Sequence, residues 1–244
     1  MQAEPSTAII TGASKRVGRV IAEALLADGW TVLAHVHHEA DDVPEGAFGI
    51  AADLADKHCA ERIFGAAKAL PPVRLLVNNA ARFAPDALGA FDPQELDAHI
   101  AVNLRAPVLL TERLAAGHAD GDALVVNLLD AKLAAPNPDF LSYTLSKQAL
   151  AGFTELGARA FAAKGIRVNG ISPALMLRSP GQDEDNYRAM HGFNPINRGV
   201  EPKDIIAALR YLVETKTVTG EVMTIDGGQR FWALPRDVQF LEPK

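Results

Sequence analysis

The chain carries a single cysteine, Cys59, in 244 residues, so it has no internal disulfide, and nothing points to an oxidising compartment. It has no apolar run of the roughly 18 residues that a membrane helix needs. Its first residues, Met1 to Pro5, lack the basic start and apolar core of a signal peptide. It has no basic excess either: the net charge is −6, and no basic stripe interleaved with aromatics occurs. General affinity for nucleic acid is therefore not expected. No internal repeat, low-complexity tract or linker divides the sequence. These absences leave one cytoplasmic domain spanning residues 1–244, with a small molecule as its partner and neither nucleic acid nor membrane.

What is present is an apolar-rich chain, 48% hydrophobic, in which strand and helix patterns alternate. Strands are expected near Thr7, Thr31, Phe48, Leu75, Leu124, Val168 and Val222. Alternation implies an α/β fold with parallel strands and helices on both faces. In such sheets ligands gather at the carboxyl ends of the strands, where Gly12, Asn79, Asp130 and Pro173 should converge.

The first unit is the most explicit. Thr7 to Thr11 is a short β-branched run closed by Gly12; Val17, Val20, Ile21, Ala24, Leu25 and Leu26 follow in helical phase and stop at Asp28-Gly29. Thr31 to Val36 completes a βαβ unit. Gly12 permits a tight turn, Gly18 lets the helix approach the strand, and the exposed amides of the helix start attract a pyrophosphate. The middle glycine usual in such turns is replaced by Arg16, and a two-glycine turn taken alone is equally a plain connection. The second strand ends His35-Val36-His37-His38 with no acid before Glu39, while Lys15 and Arg16 stand in the turn. That balance favours NADPH over NADH. The three histidines also invite a metal, but no further Cys or carboxylate set stands at regular spacing, so a phosphate-binding strand end is expected and no metal.

Tyr143 and Lys147 are four apart in an apolar-rich stretch from Tyr143 to Ala163 that reads as helix, so they share a face. Bringing a phenol from pKa near 10 toward neutrality costs about 4 kcal/mol, which a fixed positive charge in a partly desolvated pocket can largely supply. A tyrosine so tuned can exchange a proton with an oxygen or nitrogen beside a carbon that exchanges hydride. By itself the pair is far more readily a surface contact. Cys59, among Ala60, Ile63 and Phe64, reads as a buried helical residue.

The glycine turn, Asn78-Asn79-Ala80-Ala81 after Leu75-Leu76-Val77, Asn103, Tyr143 with Lys147, and Asp226-Gly227-Gly228 together resemble the short-chain dehydrogenase/reductase family, from about Ser6 to Gly228. The resemblance implies a Rossmann-type, doubly wound sheet of seven strands and a homotetramer. It makes Tyr143 the catalytic acid, Lys147 the nicotinamide-ribose ligand that lowers the tyrosine pKa, and Asn103 the holder of a water linking Lys147 to solvent. Cofactor contacts fall to Gly12, Lys15, Arg16, Val17, Gly18, His35, His37, His38, Asp53, Leu54, Asn79, Ala80, Lys147 and Pro173. Asp53 stands for the acid beside adenine.

Two positions depart from the common family pattern together, and a third points the same way. Arg16 replaces a glycine, Asp130 replaces the serine thirteen residues before the tyrosine, and Phe83 follows Asn79-Ala80-Ala81-Arg82. All three resemble the pteridine reductase and dihydromonapterin reductase branch, in which the aromatic residue sandwiches a pterin against nicotinamide. Arg16, Phe83, Asp130 and Tyr143 are then the substrate-binding residues. A flat, nitrogen-rich ring suits a planar donor, a stacking face and a carboxyl that passes on a proton. Two alternatives stay open: an NADPH-dependent carbonyl reductase, and a non-catalytic dinucleotide-binding regulator.

Residues 173–199 break the periodic pattern after a strand that should face the cofactor, and read as a substrate lid. Ala174 stands there where the family has glycine. The tail 229–244, with Phe231, Trp232, Leu234, Val238, Phe240 and Leu241, is too apolar to lie in water. It buries itself locally or, as the preferred expectation, forms a subunit interface near a neighbour's active site.

Overall fold

The structure, a computed structural model, describes residues 5–179 and 181–241. The start of the chain, Pro180 of the lid segment and the last three residues of the tail lie outside the described residues.

Strands β1 (Thr7–Thr11), β2 (Thr31–Val36), β3 (Phe48–Ala51), β4 (Val73–Asn78), β5 (Ala123–Leu128), β6 (Ile166–Pro173) and β7 (Val222–Ile225) form one sheet in the order β3-β2-β1-β4-β5-β6-β7. Every pairing is parallel. The seven expected strands are all present. Helices α1 (Arg16–Ala27), α2 (Cys59–Ala67), α3 (Pro93–Ile100), α4 (Ala106–Gly117), α5 (Leu141–Phe161), α6 (Glu184–His191) and α7 (Pro202–Glu214) make the crossovers.

Because strand side chains alternate between faces, each central strand feeds two cores. Ala8, Ile10, Val32, Val77 and Val126 pack against Ile21 and Leu25 of α1 and Ile205 and Leu209 of α7. Ile9, Leu33, Leu76 and Val125 pack against Ile63 of α2, Leu110 and Leu114 of α4 and Phe161 of α5. Cys59 lies in this second layer, buried as expected, and burial raises its thiol pKa. The chain runs outward from β1 to β3 and returns beyond β1 to β4, which opens a crevice at the carboxyl ends of β1 and β4.

Two elements differ from the sequence reading. Helix α5 begins at Leu141, two residues before Tyr143, behind Phe140 in a left-handed conformation (φ 54°). No local residue caps it; Asp86, in the β4–α3 connection, does so, its carboxylate accepting Ser142 N–H at 3.0 and 3.2 Å and the Ser142 hydroxyl. The segment 173–199 is not wholly irregular: it contains α6, capped by Asp183, whose carboxylate accepts from the amides of Asp185 (2.9 Å) and Asn186 (3.1 Å).

Candidate active site

The crevice widens into a cleft of about 700 Å³. At one end stands the turn between β1 and α1. Gly12 has φ +68°, open to glycine at little cost, and a Cβ on Gly18 would collide with the Gly12 carbonyl. Asn79 clamps this turn to β4: its amide nitrogen donates to the carbonyls of Thr11 (2.8 Å) and Gly12 (3.2 Å), and the Thr11 hydroxyl accepts from the amides of Asn79 and Ala80, both at 3.0 Å. Among the described residues no side chain caps α1, and its first turn holds no acid. Its free amides, with Ser14, Lys15, Arg16 and Val17 on the cleft wall, suit a phosphate group.

Arg16 takes φ +54° where glycine is usual, a strain of order 1 kcal/mol. Its guanidinium reaches across the cleft and donates to the carbonyls of Arg178 (2.9 Å) and Leu177 (3.4 Å), tying the phosphate turn to the lid segment.

The histidines separate. His35 is 2% exposed, its Nδ1 accepting from Gly12 N–H (3.2 Å) and its Nε2 donating to the Ala52 carbonyl (2.9 Å). Burial lowers its pKa, so it is a neutral brace beneath the turn, with both ring nitrogens occupied rather than offered to phosphate. His37 and His38 lie past the end of β2, stacked at 4.0 Å and facing the cleft. Asp53 and Leu54 line the same end, with Asp53 also accepting Ala55 N–H at 2.8 Å. Asp41, which the sequence reading passed over, lines it too and accepts His38 N–H at 2.9 Å.

At the other end Asp130 leaves β5, Tyr143 and Lys147 rise from α5, and Phe83 stands on the β4–α3 connection. The Tyr143 hydroxyl donates to Asp130 Oδ2 at 3.0 Å, and Asp130 Oδ1 accepts Lys132 N–H at 2.8 Å. Lys147, 2% exposed, donates to the Leu128 carbonyl at 2.6 Å. Burial pulls its pKa down to about 8. The Tyr143 phenol is pushed well above its usual range, by burial first and then by Asp130. The expected lowering by Lys147 is not seen in this geometry, where its ammonium is bonded to the Leu128 carbonyl. Burial also raises the Asp130 pKa from its ordinary value.

Asn103 sits in a π-turn, Ala101–Arg105, between α3 and α4. Its side chain accepts Arg82 N–H (2.7 Å) and donates to the Arg82 carbonyl (3.0 Å) and the Ser146 hydroxyl (2.9 Å). It thus fixes the Phe83 connection to α5 just before Lys147. Phe83 stacks on Phe140 at 4.4 Å and meets Tyr143 edge-on at 4.8 Å.

With this geometry in place, comparison with known proteins is decisive. The family model described as enoyl-(acyl carrier protein) reductase matches residues 12–230. The chain belongs to the short-chain dehydrogenase/reductase family. It is 30% identical to pteridine reductase 1 of Leishmania tarentolae, over 91% of this chain and 95% of that one. It is 27% identical to an L-xylulose reductase of Caenorhabditis elegans, over 90% and 94%. In structure it is similar to FolM alternative dihydrofolate reductase 1 from Brucella canis, solved in complex with NADP, with TM-score 0.87, 34% identity and coverage of 95% and 96%.

Around this short-chain dehydrogenase/reductase core the tail folds onto its own chain. The Asp139 carboxylate accepts Arg236 Nε at 3.0 and 2.8 Å and Asp237 N–H at 2.8 Å, and Phe240 stacks on Phe140 at 5.6 Å. The tail thus touches its own chain without being buried by it: none of its described residues is buried, and Phe231 (72%), Trp232 (43%) and Phe240 (47%) stay exposed. Leu234, Asp237 and Val238 line the cleft, as do Pro173, Ala174 and Met176. The sequence reading missed Lys132, Asp139 and Asp237.

Proposed function

We propose that this chain uses NADPH to reduce a C=N bond of a pterin. The observation that carries the proposal is the half-buried Asp130 carboxyl bonded to Tyr143 beside the Phe83 ring. A hydroxyl here would steady a ketone oxygen, whereas a carboxyl can supply the proton that a ring nitrogen must gain.

The cradle of Gly12, Gly18 and the α1 amides fits a pyrophosphate. Lys15, Arg16, His37 and His38 would meet a 2′-phosphate, and Asp53 and Leu54 the adenine. Lys147 and Asn79 would hold the nicotinamide end. When bound, the cofactor supplies the hydride. Tyr143 gives its proton to the ring nitrogen and takes one from Asp130, a relay that avoids free phenolate where phenolate is strongly disfavoured. Phe83 offers a stacking face, and residues 173–199, held to Arg16, close the cleft as a lid. The working form is a cytoplasmic homotetramer in this proposal, with the exposed Phe231 supporting a subunit contact.

A second reading, reduction of a small ketone, has the likeness to L-xylulose reductase in its favour. Following NADPH absorbance with dihydrobiopterin, dihydromonapterin, dihydrofolate and a ketone panel separates the two. Tetrahydropterin formed one-to-one with NADPH is expected; turnover confined to ketones, or faster with NADH, overturns the proposal.

A further inference from the structure

We propose that Asp237, from the C-terminal segment, is a positioning residue of the proton-delivery site: it pairs with the Lys132 ammonium beside the Asp130 carboxyl and so tunes proton delivery. This rests on the relay through Tyr143 and Asp130 described above.

The geometry is a chain of charges. Asp130 receives the backbone N–H of Lys132 on one oxygen and the Tyr143 hydroxyl on the other. The Lys132 side chain, only 9% exposed, carries its ammonium to Asp237 Oδ2 at 3.5 Å and to the Asp139 carbonyl. Asp237 is held from several sides. Its own N–H is bonded to Asp139, its Oδ1 accepts Gln239 N–H at 3.2 Å, and Asn186 of α6 donates to the Leu241 carbonyl at 2.8 Å. The carboxylate, 18% exposed, belongs to the wall of the cleft.

The charged and titratable groups around Asp130 are Lys132 on its own segment, Tyr143 and Lys147 on α5, and Asp237 on the tail. Lys132 alone would favour ionised Asp130, and an ionised Asp130 has no proton to give. Asp237 pairs with that ammonium and adds its own negative charge near the site, and both effects act with burial to favour the protonated form of Asp130. The tail therefore acts through charge as well as shape.

The test uses holoenzyme saturated with NADPH for the pH dependence of kcat/KM with a dihydropterin. In parallel, carbon-13 NMR follows the Asp130 carboxyl in aspartate-labelled protein with NADP bound, assigned through D130N. D237N should move both the alkaline limb and the Asp130 titration to lower pH by about half a unit, roughly a threefold loss of protonated enzyme above the limb. K132M should move both to higher pH, and D237E should restore the original limb. A packing role alone would lower rates without moving the limbs in opposite directions. An Asp130 titration unchanged in D237N, or a D237E that fails as D237N does, overturns the inference. An Asp130 titration that shifts in a protein reducing no pterin would sink the pterin proposal and leave the role of Asp237 standing.

Discussion

At Tyr143 the local environment opposes ionisation, and this sets how the residue can work. A phenol that is hard to ionise must give its proton while another arrives, which places Asp130 in the same event. Tyr143→Phe should lower kcat/KM by roughly 10²- to 10⁴-fold with NADPH affinity retained, measured by steady-state rates and nucleotide fluorescence. Asp130 also leaves a thermodynamic trace. Burial raises its folded pKa above the unfolded value. The stability it contributes is then complete below the unfolded pKa and is lost as pH rises through the folded one. The melting temperature of wild type relative to Asp130→Asn should therefore fall as pH rises above the ordinary aspartate value of 3.8; a difference constant with pH would contradict the raised pKa. Residue chemistry was only partly legible in the sequence. Two-residue periodicity puts His35 and His37 on one face, but β2 ends at Val36, so His35 is sealed beneath the turn while His37 escapes to the cleft.

At the scale of elements, the long helix α5 is positioned by parts far from it in sequence. Its start carries no local cap, and Asp86 supplies one from 56 residues away. Asp86→Ala should cost about 1 kcal/mol, the usual worth of a cap. Thermal unfolding would show this as a drop of roughly 2–4 °C. The same loss should loosen Phe83, three residues upstream on that connection. This explains why the helix was legible from its periodicity yet its first residue was not: the capping bond is tertiary. For α6 the sequence did hold a signal, the run Asp183-Glu184-Asp185. An acid cap followed by acids in the first turn starts a helix, and prolines and glycines on either side obscured it.

For the whole molecule, strand order and the position of the cleft follow from alternation and from the β1–β4 switch, so the fold was legible almost throughout. What the sequence left open was the tail, because an apolar terminal segment can satisfy itself on its own chain or on another. Here it is tied to its own chain through Asp139, Arg236 and Phe240 without being buried, and Phe231, Trp232 and Phe240 stay exposed. Sedimentation velocity should find wild type as a tetramer and Phe231→Asp as a smaller species; a monomer in both cases would remove the proposed subunit contact.

The central claim is that Asp130 commits this family member to ring nitrogens rather than ketone oxygens. Its most direct test is the ratio of kcat/KM for a dihydropterin to kcat/KM for a small ketone, measured with NADPH in wild type and Asp130→Ser side by side. Wild type should favour the pterin, and the serine variant should lose pterin reduction more than ketone reduction. A wild type that favours the ketone, or a serine variant in which the pterin preference grows, would contradict it.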